Sequence, residues 1–213
     1  MSNQTRAALE ARIADDLDRS DLTTQITAAV TDAIDRYASE RFAFNEVQNF
    51  THTFSASNAV VPLTNLTVYF AKIDRLRMQY SGASNLTDLY PRDYGWLMDG
   101  QDAQSVSRPL EYCVYAEAIN FDVIPQEAYV GVLDGVKRLS PTSSNSFSTS
   151  SSVSWFTEGR NLIRARAKID LYAHVIKDTE EAGKMALVEQ REFRDLKAKL
   201  NTRNSGRIRP TCF

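Results

Sequence analysis

The sequence predicts an α+β fold. Terminal helices form an α-helical bundle, an antiparallel β segment is inserted between them, and an extended tail closes the chain. Three observations carry this expectation. Apolar residues recur three and four apart near both ends of the chain. Residues 50–140 are rich in β-branched and aromatic runs separated by turn residues. A serine-dominated stretch, 140–154, stands between that region and the last helices.

The first helix spans residues 5–17, where Leu9, Ile13 and Leu17 recur every four residues beside helix-favouring Ala7, Ala8 and Ala11. Asp18–Asp21 breaks it, and Ser20 or Asp21 is the expected N-cap of the next helix. That helix runs from Leu22 to about Phe42, with Leu22, Ile26, Val30, Ile34 and Tyr37 on one face. Strands are expected around FTHTF, AVVPL, VYFAKIDRLRMQY, LEYCVYAEAINFDVI and AYVGVLDGVKRL, with one short helix near Tyr90–Met98. Asp134-Gly135 reads as a two-residue hairpin turn. His52 is expected to face away from the apolar side of its strand. In 140–154, nine of fifteen residues are serine, too polar to build a core, so a flexible loop is expected. Helix returns over 158–201 with Leu162, Ala165, Ile169, Tyr172 and Ile176, and Asp178-Thr179-Glu180 suggests a break. Gly206 and Pro210 disfavour helix in the final residues. The expected organisation is a helical core from 1–47 and 155–201, a β segment at 48–140, the loop at 140–154, and a tail at 202–213.

Composition narrows the function. The chain has 213 residues, a net charge of −2, and 43% hydrophobic residues. No window approaches the ~18 apolar residues that cross a bilayer. The N-terminal residues lack a signal-peptide core, so neither membrane nor secretion is expected. Cys113 and Cys212 form no CxxC pair, which speaks against zinc and against a disulfide framework. Charge is uneven: −4 over 1–50, −4 over 51–159, and +6 over 160–213. After Asp195 there are only bases: Lys197, Lys199, Arg203, Arg207 and Arg209.

Catalytic patterns are missing. There is no phosphate-binding glycine loop, no nucleophile elbow and no metal-spaced histidine pair, since His52 and His174 stand on different elements. Asp15-Asp16 is expected to be a solvated pair. No enzyme activity, catalytic residue, metal or cofactor is expected. Arg160, Arg164 and Lys168 recur at i, i+4, i+8 and form a candidate basic face, opposed to DNA, to an acidic partner surface, or to the acidic N-terminal helices as an ordinary solvated face. In the tail, Arg203, Arg207 and Arg209 alternate with the apolar Ile208, Pro210 and Phe213. Such a segment suits a groove on an acidic partner. Cys212 is a candidate for an intermolecular disulfide.

Three stretches carry a resemblance. They are Ile13–Leu22 with Ile26, Ala33-Ile34 and Glu40–Glu46; Trp155–Asp178 with Gly159, Leu162-Ile163 and Ala165; and the ending Gly206–Phe213. In this order the chain resembles the head–tail adaptor proteins of tailed phages, also called head-completion, connector or neck proteins. The resemblance covers most of the chain and is specific mainly at its ends; the β segment matches loosely, and Cys212 has no counterpart in the family pattern. It implies a non-enzymatic virion protein that is assembled in the host cytoplasm and sits at the capsid vertex. Twelve copies would form a ring beneath the portal, extend the DNA channel without reading sequence, and offer a platform to the next neck or tail protein. The tail residues would then face the portal or a neighbouring copy. The alternatives are a DNA-binding protein that uses its basic C-terminal region, and another neck or tail-terminator protein.

Overall fold

The structure, a computed structural model, describes residues 5–80, 82, 85–100, 105–138 and 154–205. The fold is α+β. It divides into two compact units, one from Met1–Asn45 with Leu139–Phe213 and one from Glu46–Arg138. The expected serine-rich loop, apart from Ser154, and residues 206–213 of the expected tail lie outside the described residues; residues 202–205, expected to open the extended tail, are instead the end of the last helix.

The helical unit begins with α1 (Arg6–Leu17) and α2 (Thr23–Tyr37). The Thr5 hydroxyl caps α1 by accepting from the Ala8 N–H at 3.2 Å, and Asp18 ends it in the left-handed region at φ 51°. The cap expected for α2 is not used: Leu22 occupies the N-cap position without a side-chain bond. Here burial outranks capping, because Leu22 is 5% exposed and belongs to the core. α2 also stops at Tyr37, short of Phe42, because Glu40–Asn45 closes on itself as a turn. Asn45 Oδ1 accepts from the Phe42 N–H at 2.8 Å, and Asn45 Nδ2 donates to the Glu40 carbonyl at 2.7 Å.

After residue 153 come α4 (Ser154–Thr157) and α5 (Arg160–Asp170); α3 belongs to the other unit. A π-helical turn, Leu171–Ile176, ends on Lys177 at φ 63°. α6 (Thr179–Ser205) then begins with Asp178 Oδ1 accepting from the Glu180 and Glu181 N–H groups at 3.1 and 3.0 Å. The break expected near Asp178 is therefore a left-handed residue followed by a capped restart. One core joins both ends of the chain: Leu9, Ile13, Ile26, Val30, Ile34 and Phe42 meet Trp155, Phe156, Leu162, Ile163 and Leu196.

The β unit comprises β1 (Glu46–Phe54), β2 (Val60–Pro62), β3 (Phe70–Gln79), β4 (Leu86–Asp88), β5 (Tyr90–Pro91), α3 (Tyr94–Gly100), β6 (Val106–Ser107), β7 (Glu111–Tyr115), β8 (Ala118–Phe121), β9 (Ile124–Pro125) and β10 (Tyr129–Lys137). One sheet has the order β1-β10-β3-β4 and is antiparallel throughout. A second runs β2-β8-β7-β5, and β6 pairs with β9. The β5–β7 and β6–β9 pairs are parallel, an exception to the expected antiparallel pattern. Phe54, Phe70, Leu76, Met78, Ile119, Phe121 and Leu133 share this unit's core.

Two expectations fail here for instructive reasons. Asp134-Gly135 is no hairpin turn; it lies inside the single strand β10, at a register shift against β3. Asp134 accepts from Arg77 Nη2 at 2.9 Å and from the Asn49 N–H at 2.7 Å, so its carboxylate bridges the neighbouring strands. Gly135 allows the Lys72 carbonyl to approach: an added Cβ would stand 2.2 Å from that oxygen. The dipeptide marks a bulge. His52, in turn, shares a strand face with Phe50 and Phe54, as the two-residue period requires. Its ring lies 5.0 Å from that of Phe54, and burial lowers its pKa.

Gly135→Ala should therefore cost about 2–3 kcal/mol in urea or thermal unfolding. Gly95→Ala, whose Cβ meets nothing within 4 Å, should stay within about 1 kcal/mol of wild type. Equal effects at the two positions would refute the bulge as the reason for Gly135.

Candidate functional site

In α5, Leu162, Ile163 and Ala167 point into the core, which places Arg164 and Lys168 along its flank toward α1. Both cations converge on one oxygen of Asp16. Arg164 Nε donates to Asp16 Oδ2 at 2.6 Å, and Lys168 Nζ lies 2.8 Å from the same atom. Lys168 is buried, with 9% exposure. Burial pushes the Asp16 carboxyl up, but the hydrogen bonds from Arg164 and Lys168 outweigh it and hold the carboxyl below its usual value.

Two of the three residues of the expected basic face are thus directed into the unit, onto the acidic N-terminal helix. Arg160 lies one turn earlier, half-buried, with no ion-pair partner among the described residues. Asp16 is not the solvated acid that its sequence context suggested. By helical period Asp16 borders the stripe of Leu9, Ile13 and Leu17 while Asp15 does not, and the packing of α1 against α5 then brings Arg164 and Lys168 onto it.

A third cation links α6 to the turn after α2. Lys197 Nζ, on α6, donates to Glu40 Oε2 at 2.7 Å and to the Arg41 carbonyl at 2.9 Å. It also sits 4.9 Å from the Phe42 ring centroid and 5.1 Å from that of Phe193. Phe42 and Phe44 pack edge-on against Trp155, with centroids 5.5 and 5.1 Å away. Tyr37 donates its hydroxyl to the Glu189 carboxylate; burial and that carboxylate push its pKa up. In the sequence Lys197 is one of the bases that follow Asp195; its partners Glu40, Arg41 and Phe42 are distant in the chain.

Outward from this core, α5 and α6 leave a groove. Its lining is mixed: Ala165, Met185 and Val188 are apolar, and Asn161, Arg164, Lys168 and Glu192 are polar or charged. Leu187, on the same helix, is 68% exposed. The remaining sequence candidates lie elsewhere. Arg207, Ile208, Arg209, Pro210, Cys212 and Phe213 are outside the described residues, as is the side chain of Arg203. Cys113 is buried on β7, and burial pushes its thiol up. His174 is exposed on the π-helical turn.

Among the described residues, no group of three or more His, Cys, Asp or Glu is placed to hold a metal ion, and no helix is long and apolar enough to cross a membrane. The chain matches no protein-family model and no curated protein.

Removing Asp16 strands two partly buried cations. Asp16→Ala should cost about 1–3 kcal/mol in chemical denaturation at pH 7. Its folded pKa lies below the unfolded value of about 3.9, so the contribution is complete above that pH and is lost as pH falls through the folded value. The gap between wild type and variant should close in acid; a gap unchanged down to pH 2 would contradict the assignment.

Proposed function

We propose that this chain is a structural virion protein, a head–tail adaptor that assembles as a ring of identical copies beneath a phage portal. In this reading the helical unit is a bundle core and the β unit is inserted into it. The ring extends the DNA channel and presents a platform to the next neck or tail protein, and the chain performs no chemistry of its own. One observation carries the assembly part: the helical unit, with its own core formed, leaves Leu187 of α6 68% exposed. A second copy would cover this surface and gain from its burial. The identity of the assembly comes from the resemblance at the two ends of the sequence.

Direct DNA binding by the α5 face receives less support. Arg164 and Lys168 are already engaged by Asp16. Counterion release needs cations free to meet phosphates.

Electron microscopy and mass photometry of the protein, alone and with its portal, test the reading. Rings on the portal are the expected outcome; a protein that stays monomeric and never joins the portal would sink it. Leu187→Glu should abolish ring formation while moving the unfolding free energy by no more than about 0.5 kcal/mol, as exposed substitutions do. Unimpaired rings from that variant would remove α6 from the subunit contact.

A further inference from the structure

The β unit carries an aromatic surface of its own. Leu97 anchors α3 at 1% exposure, while Trp96 beside it is 52% exposed. Tyr90 on β5 is 65% exposed and Tyr115 at the end of β7 is 53% exposed. Tyr94 stacks on Tyr115 with centroids 4.0 Å apart. The Arg92 guanidinium lies 4.3 Å over the Trp96 ring and donates to Glu111 Oε1 at 2.7 Å. Backbone bonds fix these groups in place, from the Tyr90 N–H to the Leu110 carbonyl at 2.9 Å and from the Arg92 N–H to the Tyr112 carbonyl at 2.8 Å. Rigid Trp, Tyr and Arg groups of this kind supply most of the energy at protein interfaces.

Charge selects the occupant. Glu111 is matched by Arg92, but the exposed Asp93 and Asp99, on either side of Trp96 in sequence, have no ion-pair partner among the described residues. Residues 46–138 hold eleven acids and seven bases. Such a surface repels phosphate and attracts a cationic segment. The chain contains one: residues 203–213 hold Arg203, Arg207 and Arg209, no acid, and the apolar Ile208 and Phe213. The way Arg92 lies on Trp96 beside Glu111 is the chemistry that an incoming arginine would repeat.

We propose that residues 203–213 of one copy bind across the Tyr90, Trp96 and Tyr115 surface of a second copy. Arg207 and Arg209 meet Asp93 and Asp99, and Ile208 and Phe213 lie on the aromatic rings. The spacing is compatible: six helical residues separate the two acids by about 9 Å, and two extended residues separate the arginines by about 7 Å, within side-chain reach. Assigning the segment to a second copy rests on the assembly reading above.

The two tryptophans make the test direct, because Trp155 is fully buried and Trp96 is not. Acrylamide quenching of the full-length protein therefore reports on Trp96, with Trp96→Phe as the control. Wild type should become protected as its concentration rises, whereas the full-length Arg207→Ala/Arg209→Ala variant should remain about twofold more quenched at every concentration. A synthetic peptide of residues 203–213 should restore protection to that variant, and Asp93→Asn/Asp99→Asn should weaken peptide binding about tenfold. Three results would each overturn the proposal: equal quenching of wild type and tail variant, protection independent of concentration, or peptide binding indifferent to the two aspartates. Rings on the portal with Trp96 still open would defeat this proposal and spare the ring reading. Concentration-dependent protection without rings would do the reverse.

Discussion

The helical unit depends on burial shared between the two ends of the chain. The stripes of α1 and α2 find their cover in helices that begin more than a hundred residues later. Neither set can bury its apolar face alone, and isolated helices of this length are marginal in water. Trp155 is the clearest expression of that constraint. It is fully buried and packed edge-on against Phe42 and Phe44. Such non-local closure carries a loop-entropy cost that must be met before any contact repays it.

Polar contacts then fix how the helices meet. Asp16 holds Arg164 and Lys168, and Lys197 holds the Glu40–Arg41 turn while lying against Phe42 and Phe193. Both contacts link the first 45 residues to the last helices. Hydrophobic burial is non-directional and would tolerate sliding or rotation of one helix on another. Charge pairs at partly buried positions penalise those alternatives, since any shift leaves a cation without its partner.

What remains outside the two cores has a common character. Leu187 on the helical unit, and Trp96, Tyr90 and Tyr115 on the β unit, are large apolar or aromatic side chains left in water. Left exposed they add nothing to the stability of the isolated chain, whereas contact between chains would gain from their burial. These exposed groups are what supports the proposed assembly.

The sequence by itself determined the class of fold, the helices and where most of them break, and the apolar faces that become the helical core. These are local properties: period, propensity and capping chemistry act within a few residues. Leu9, Ile13, Ile26, Val30 and Ile34 were all identifiable on that ground. Tertiary structure alone decided whether Asp134-Gly135 turned the chain or bulged a strand, because the same dipeptide serves both and the partner strand settles the matter. For Arg164 and Lys168 it chose, among the surfaces the sequence left open, the carboxylate of Asp16 on the acidic N-terminal helix. It also alone brought Tyr94 onto Tyr115 and Arg92 onto Trp96 and Glu111. In each case the deciding neighbour is distant in sequence or on another element, beyond the reach of any local pattern.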